Sequence, residues 1–335
     1  MAGLSAWEGV LVIRTRLYKD GKCLKENFDP AEISDHLQDD TSCVVWLDLD
    51  SPDEKDLALL AEEFGLNPLA VEDATSERQR PKLDHYDDHV FISLYDVALD
   101  AAGSLTSHEL AVFAAHKYLI TVRKTPGYSI DAIVDRWNDN EHLAKHGVGF
   151  LLWGLLDVVV DGHFETVQQL DDRIDSLEDL LFDPGDAGTA VQRRSYDLRK
   201  SLVRIRRVVL PTREVLNSLM RRENDLVDDA LMPYYQDVYD HVLRAADWTD
   251  SLRDLVSTIM ETHLTIQGNR MNEIMKKVTS WAAIAAVPAV ITGYYGMNVL
   301  TYPHSDTNAG GYTALGLMAG LVAVLYVVFK KIDWL

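Results

Sequence analysis

Cysteine is scarce: the 335 residues carry two, Cys23 and Cys43, with no CxxC and no Cys/His set beside them. That excludes a disulfide framework and a structural zinc site, and it suits a reducing compartment. Basic residues are in deficit, 32 Lys and Arg against 53 Asp and Glu, for a net charge of -21. Such a field repels nucleic acid and attracts cations, so no nucleic-acid partner is expected. The P-loop, GxSxG, HExxH and GxGxxG patterns are all missing. ATP-driven transport and the common hydrolytic mechanisms therefore lack their residues, and no enzymatic activity is expected. The opening MAGLSAWEGVLVIRTRLY has no basic n-region and only a short apolar run, so it is not read as a secretory signal.

Charge itself is missing from two C-terminal stretches. Residues 278–303 hold no charged side chain, and neither do the 20 residues 310–329. At 1.5 Å per helical residue the second stretch covers about 30 Å, the hydrocarbon thickness of a bilayer. A buried pair of core helices is the alternative to two spans, and the flanks disfavour it. Lys276 and Lys277 precede the first stretch, Lys330 and Lys331 follow the second, and residues 299–311 between them contain no Lys or Arg. The positive-inside rule then puts both termini in the cytoplasm and the short loop outside. Tyr294, Tyr295, Tyr302 and Tyr312 mark the outer interface and Trp334 the inner one. We expect a first span at 278–298, a periplasmic loop at 299–311, a second span at 312–330 and a cytosolic tail at 331–335, in the cell (inner or plasma) membrane.

The polar part reads as an α/β domain over residues 1–130 and a helical stalk over 131–277. CVVWLDLD (43–50), 88–99, 109–116 and 117–124 have strand composition. Ser51-Pro52-Asp53-Glu54 has the form of a capping box, Gly65 a helix stop, and Asn67-Pro68 opens a short helix carrying Glu72 and Asp73. Asp84-His85-Tyr86-Asp87-Asp88-His89 has metal-ligand residue types, but it leads into a strand and reads as a solvated edge. Farther on, Leu170, Ile174, Leu177 and Leu181 stripe an acidic helix, and Leu198, Leu202, Ile205 and Val209 stripe a basic one. Their opposite charges suggest a hairpin held by complementary ion pairs. The next helix opens near Pro233 and meets no other proline until Pro288, a rod of about 100 Å if unbroken, too long for one compact domain. The fold class is thus an α+β membrane protein: an N-terminal cytosolic α/β domain, a long helical stalk and two C-terminal transmembrane helices.

Tyr295-Gly296-Met297-Asn298 closes the first span. Gly and Asn also end helices routinely, so the tripeptide alone says little. Its place, after a long charged helix and before a second span ending in Lys330-Lys331, resembles the Gly-Met-Asn signature of the CorA magnesium/cobalt transporter family. The resemblance extends over the whole chain through residues 67–73 (NPLAVED), 79–82 (QRPK), 237–241 (DVYDH) and 271–276 (MNEIMK).

This resemblance implies a homopentamer in a lipid bilayer, with the first span lining the pore and Gly296, Met297 and Asn298 as its selectivity filter. Mg²⁺ sheds water reluctantly, so a ring of neutral amide oxygens from Asn298 could hold it still hydrated. Three- and four-residue steps inward give a pore face of Asn272, Met275, Thr279, Ala282, Ala286, Ala289 and Gly293, with Val278 nearby; Met275 and Val278 would form a hydrophobic gate. Ala286 and Ala289 depart from the bulkier Met and the polar Thr of some relatives, and Tyr302-Pro303-His304-Ser305 departs from the family's Met-Pro-Glu-Leu, leaving Asp306 as the loop's acid. The family pattern further implies regulatory Mg²⁺ at Asp73 and Asp237, with Glu72 as a second-site ligand. The expectation is an influx channel for Mg²⁺, with Co²⁺ or Ni²⁺ as further cargo, gated by cytosolic Mg²⁺. A zinc transporter on the same fold is the nearest rival, disfavoured by the intact Met297. A membrane-anchored signalling protein or enzyme is the rival of another class.

Overall fold

The computed structural model describes residues 13–33, 36, 43–76, 79–125, 128–181, 188–221, 226–297 and 308–335. The chain divides into two compact units, Met1–Ser257 and Thr258–Leu335. Each is described by itself.

The first unit is built on a sheet of strands β1 (Ile13–Lys19), β2 (Lys22–Glu26), β3 (Cys43–Asp50), β4 (Lys82–His85), β5 (Val90–Leu99), β6 (Leu105–Ala114) and β7 (Tyr118–Arg123), in the order β2-β1-β3-β7-β6-β5-β4. Among the described strands β3 and β7 pair in parallel and the other pairings are antiparallel. The β1–β2 hairpin turns on Asp20-Gly21, both at positive φ, the conformation a two-residue primed turn requires. β1, β2 and β4 were not foreseen, although Ile13, Thr15 and Leu17 of β1 do alternate with Arg14 and Arg16.

Both faces of the sheet are covered, which is why β3 and β7 are buried almost throughout rather than at alternate residues. On one face Val45, Leu47, Leu49, Phe91, Phe113 and Ile120 pack with Leu57, Leu60, Ala70 and Ala74 of helices α1 (Glu54–Phe64) and α2 (Pro68–Thr75). On the other face Trp46 meets Trp137 of helix α3 (Asp131–Asp139) edge to face at 4.8 Å. The Trp137 indole donates to the Leu151 carbonyl at 2.9 Å. Leu151 lies in helix α4 (Val148–Leu181), whose first ten residues are all buried. Farther along α4, His163 Nε2 and Thr166 Oγ1 donate to the Tyr95 and Val97 carbonyls of β5, at 2.7 and 2.8 Å.

The start of α1 corrects the sequence reading. The N-cap is Asp53, not Ser51: its carboxylate accepts from the Lys55 and Asp56 amides while Asp56 accepts from the Asp53 amide. The Asp53 carboxylate accepts from the orphan amides, and its negative charge is favoured at the positive end of the helix dipole. Gly65 stops α1 in the left-handed conformation and Asn67 caps α2 ahead of Pro68, both as expected.

Helices α4, α5 (Gly188–Leu219) and the N-terminal part of α6 (Met232–Tyr295) complete the unit. All eight leucine, isoleucine and valine positions read as stripes on α4 and α5 are buried. The expected charge pairing between them is absent among the described residues. Arg206 of α5 binds Asp250 of α6 instead, at 2.6 Å, Arg213 pairs with its neighbour Glu214, and the other charged side chains of α5 are exposed. Apolar burial, not ion pairing, holds the hairpin, as exposed pairs contribute little. Tyr235 of α6 is fully buried and donates to the Gly149 carbonyl at 2.8 Å.

The second unit comprises the rest of α6 and helix α7 (Asn308–Lys331). α7 starts four residues before the expected second span. Among the described residues these two helices have the length and apolarity to cross a membrane. α6 counts 64 residues, about 96 Å at 1.5 Å each. It continues through Pro288, whose ring leaves the Ile284 carbonyl without its helical donor.

Candidate functional site

The apolar end of α6 has two different sides. Ser280, Ile284 and Ile291 are buried, with Ala283, Val287 and Pro288 half-buried between them. Every residue of the expected pore face is exposed: Asn272, Met275, Val278, Thr279, Ala282, Ala286, Ala289 and Gly293. At roughly 100° per residue the centres of the two sets lie about half a turn apart around the helix axis. On α7 the shielded positions are Gly310, Ala314, Met318, Val322, Leu325 and Phe329, spaced by fours and one three. One stripe of each helix is thus withdrawn from solvent, and apolar residues such as Val290 and Tyr312 stay bare on the others. Large uncovered apolar surface marks contact with lipid or with other chains.

Side-chain size differs along the bare face of α6. Toward its N-terminal end stand Met275 and Val278, 56% and 58% exposed. From Ala282 onward the same face carries only methyl groups and the bare Gly293. The helix closes with the Gly296 amide bonded to the Thr292 carbonyl at 2.8 Å, and Met297 follows, exposed. A side chain on Gly296 would come within 3.0 Å of the Thr292 carbonyl, so a small residue fits this turn. Asn298 and the loop residues Tyr302, Pro303, His304, Ser305 and Asp306 lie outside the described residues.

The three carboxylates expected to bind regulatory metal occupy different settings. Asp73, on α2, is ion-paired: Lys82 of β4 donates to it at 2.6 Å and also contacts Asp84 at 2.7 Å. The end of α2 is further tied down by Lys124, which donates to the carbonyls of Asp73 and Ser76 at 3.0 and 2.6 Å and to the Glu109 carboxylate at 2.6 Å. Glu72, next to it, is exposed. Asp237, on α6, is exposed and has no polar partner among the described residues. No hydrogen bond or ion pair joins Asp73 to Asp237, and the described residues contain no group of three or more His, Cys, Asp or Glu placed to hold a metal. Lys82 is the participant that sequence reasoning missed. The motif 79–82 pointed to the segment but not to the pairing.

The 84–89 cluster also differs from expectation. Its first residues belong to the edge strand β4, which was not foreseen, and His89 turns inward, stacking on Tyr86 at 5.1 Å and lying 6.1 Å from Phe113. Its Nε2 is buried without a partner, and burial lowers its pKa.

A sheet-and-helix domain and two helices that each carry a charge-free stretch of membrane-spanning length, one with a bare small-residue face, are the parts of a two-span membrane protein. The model of the CorA-like Mg2+ transporter protein family matches residues 42–331. The chain therefore belongs to that family. It is 32% identical to the cobalt/magnesium transport protein CorA of Thermotoga maritima, over 88% of this chain and 85% of that one. Identity to the protein of the same name from Methanocaldococcus jannaschii is 24%, over 95% and 98%. The complete structure of the CorA magnesium transporter of Methanocaldococcus jannaschii shares the fold, with a TM-score of 0.78, 22% identity and coverage of 97% and 99%.

Proposed function

We propose that the protein is a passive Mg²⁺ influx channel, also open to Co²⁺ or Ni²⁺, assembled as a homopentamer with the bare face of α6 around its axis. The observation that carries this reading is the half-turn separation of the two sides of α6. The side that would line a pore is the one the single chain leaves uncovered, and its small residues leave room for a hydrated ion. Gly296, Met297 and Asn298 form the selectivity filter at the outer mouth, Asn272 a polar ring at the inner end, and Met275 with Val278 the hydrophobic gate. Both termini lie in the cytoplasm, and the membrane is the cell's inner or plasma membrane. Membrane potential drives uptake, about 4.6 kcal/mol per 100 mV for a divalent ion.

Regulation runs through Asp73 and Asp237, with Glu72 at a second site, where oxygen ligands suit Mg²⁺. Metal shared between copies favours the closed assembly by its higher affinity for that state. Reconstitution in liposomes tests the channel reading. Asn298→Ala should abolish Mg²⁺ influx while the oligomer stays intact by size-exclusion chromatography. Near-normal influx by a correctly assembled variant would refute the filter assignment.

A further inference from the structure

The first unit carries a cationic hollow that ion transport does not call on. It measures about 590 Å³ and lies where the β5–β6 turn meets α4 and α5. Arg173 of α4 and Arg193, Arg194, Lys200 and Arg204 of α5 line it, against one acid, Asp197. None of the four α5 cations has an anionic partner among the described residues. Five cations around one hollow oppose the field of a chain whose net charge is -21.

The wall opposite α5 is fixed. Residues 100–104 form a turn in which the Gly103 amide donates to the Asp100 carbonyl and the Ser104 amide to the Asp100 carboxylate, both at 2.8 Å. The Gly103 carbonyl then accepts from Arg173 Nη1 at 2.9 Å, which aims that guanidinium along the turn. Gly103 has φ +82, and any side chain there would collide with the Arg173 guanidinium. Arg173 is thus held by the carbonyl of a turn whose positive φ favours glycine, while the α5 cations have no anionic partner among the described residues.

We propose that this hollow binds a polyphosphate anion of nucleotide size. Guanidinium groups recognise phosphate oxygens in forked pairs, and lysine adds a mobile point charge. The volume lies within the ~300–1,000 Å³ typical of small-ligand sites. A single phosphate would engage one or two of the five cations; a chain of phosphates spans the hollow from Arg173 to α5. Asp197 leaves room for a hydroxyl or amino donor on the same ligand.

Calorimetric titration of the full-length protein in detergent, in buffer freed of divalent cations, tests this with tripolyphosphate, ATP and orthophosphate. Tripolyphosphate or ATP should bind at least about tenfold more tightly than orthophosphate. ATP binding more tightly than tripolyphosphate would identify a nucleotide as the source, and equal binding an inorganic chain; both support the site. The double variant Arg194→Gln/Arg204→Gln should weaken binding about tenfold or more. Arg199→Gln/Arg207→Gln, which removes two cations of α5 outside the hollow, should leave it within about twofold. All four substituted positions are exposed, so the circular dichroism spectrum should not change. Equal losses in the two double variants, or orthophosphate binding as tightly as tripolyphosphate, would reduce the hollow to a charged surface and overturn the proposal.

Discussion

Lys82 Nζ sits 2.6 Å from the carboxylate of Asp73 and 2.7 Å from that of Asp84, so one cation serves two acids. Partial burial pulls the Lys82 pKa down, but the hydrogen bonds to Asp73 and Asp84 outweigh it and hold the pKa above the ordinary value. A metal ion reaching Asp73 must therefore compete with an ammonium already in place.

Replacing that competitor should sharpen regulation. Lys82→Met is expected to lower the Mg²⁺ concentration that half-inhibits the current by about two- to fivefold, the range of a partly exposed ion pair. Patch-clamp recording with stepped cytosolic Mg²⁺ measures it. An unchanged half-inhibitory concentration would take Asp73 out of the regulatory site.

Asp237 has no such competitor. Asp237→Ala should weaken Mg²⁺ inhibition and shrink the rise in melting temperature that Mg²⁺ produces, since a ligand stabilises the state that binds it. The wild type at about 100 times its dissociation constant gains about 2.7 kcal/mol by this linkage. Differential scanning fluorimetry with and without Mg²⁺ compares the two, and an equal shift in both would exclude Asp237 as a ligand.

The two sides of α6 should answer differently to substitution. Ala286 is exposed, so Ala286→Leu should cost at most about 0.5 kcal/mol of stability. The same change should cut liposomal Mg²⁺ flux about tenfold by narrowing the pore. Ile284 is buried, and Ile284→Ala should cost about 2–4 kcal/mol and lower the yield of folded protein. Full flux through Ala286→Leu would place the pore on another face.

Asp96 and His163 oppose each other in acid. Burial raises the Asp96 pKa to about 6, partly offset by hydrogen bonds from the Val97 amide and the Tyr128 hydroxyl. Burial lowers that of His163 to about 4. The folded state binds the Asp96 proton more tightly than the unfolded state does, so stability from Asp96 falls as pH rises from about 4 to 6. His163 is neutral when folded and protonates on unfolding, so its contribution is lost as pH falls from about 6.5 toward 4. Together they should leave stability nearly flat in that window. Urea denaturation of Asp96→Asn should uncover a loss of stability toward acid of up to about 3 kcal/mol; a flat profile in that variant would disprove the opposition.

Local chemistry was legible in the sequence where it acts over a few residues. β3 runs from Cys43 to Asp50 as its composition indicated, Gly65 and Asn67 punctuate α1 and α2 where expected, and the leucine stripes of α4 and α5 are buried. What escaped depends on distant partners. Nothing near Arg206 announces Asp250, 44 residues on, and nothing in the 84–89 cluster says that His89 will find an aromatic pocket beside Phe113. The Asp73–Lys82 pair was missed for the same reason, since its spacing of nine follows neither a helix nor a strand. On α6 the stepping of small residues did mark a face, because a helix repeats on a scale the sequence itself displays.

The parallel pairing of β3 with β7 has a consequence in time. Asp48 of β3 is fully buried and is held by Arg123 and Thr121 of β7, more than seventy residues later. At about 5–20 residues per second, a ribosome delivers β3 roughly 4–15 s before its parallel neighbour exists. During that interval β1 can cover one side of β3, while the other holds open amides and a carboxylate meant for a guanidinium not yet made. Strands β4 to β7 follow as neighbours in sequence and can pair as they emerge. Completion of the sheet therefore falls to its longest-range contact, and the buried charge on β3 makes an apolar stranger in the place of β7 costly.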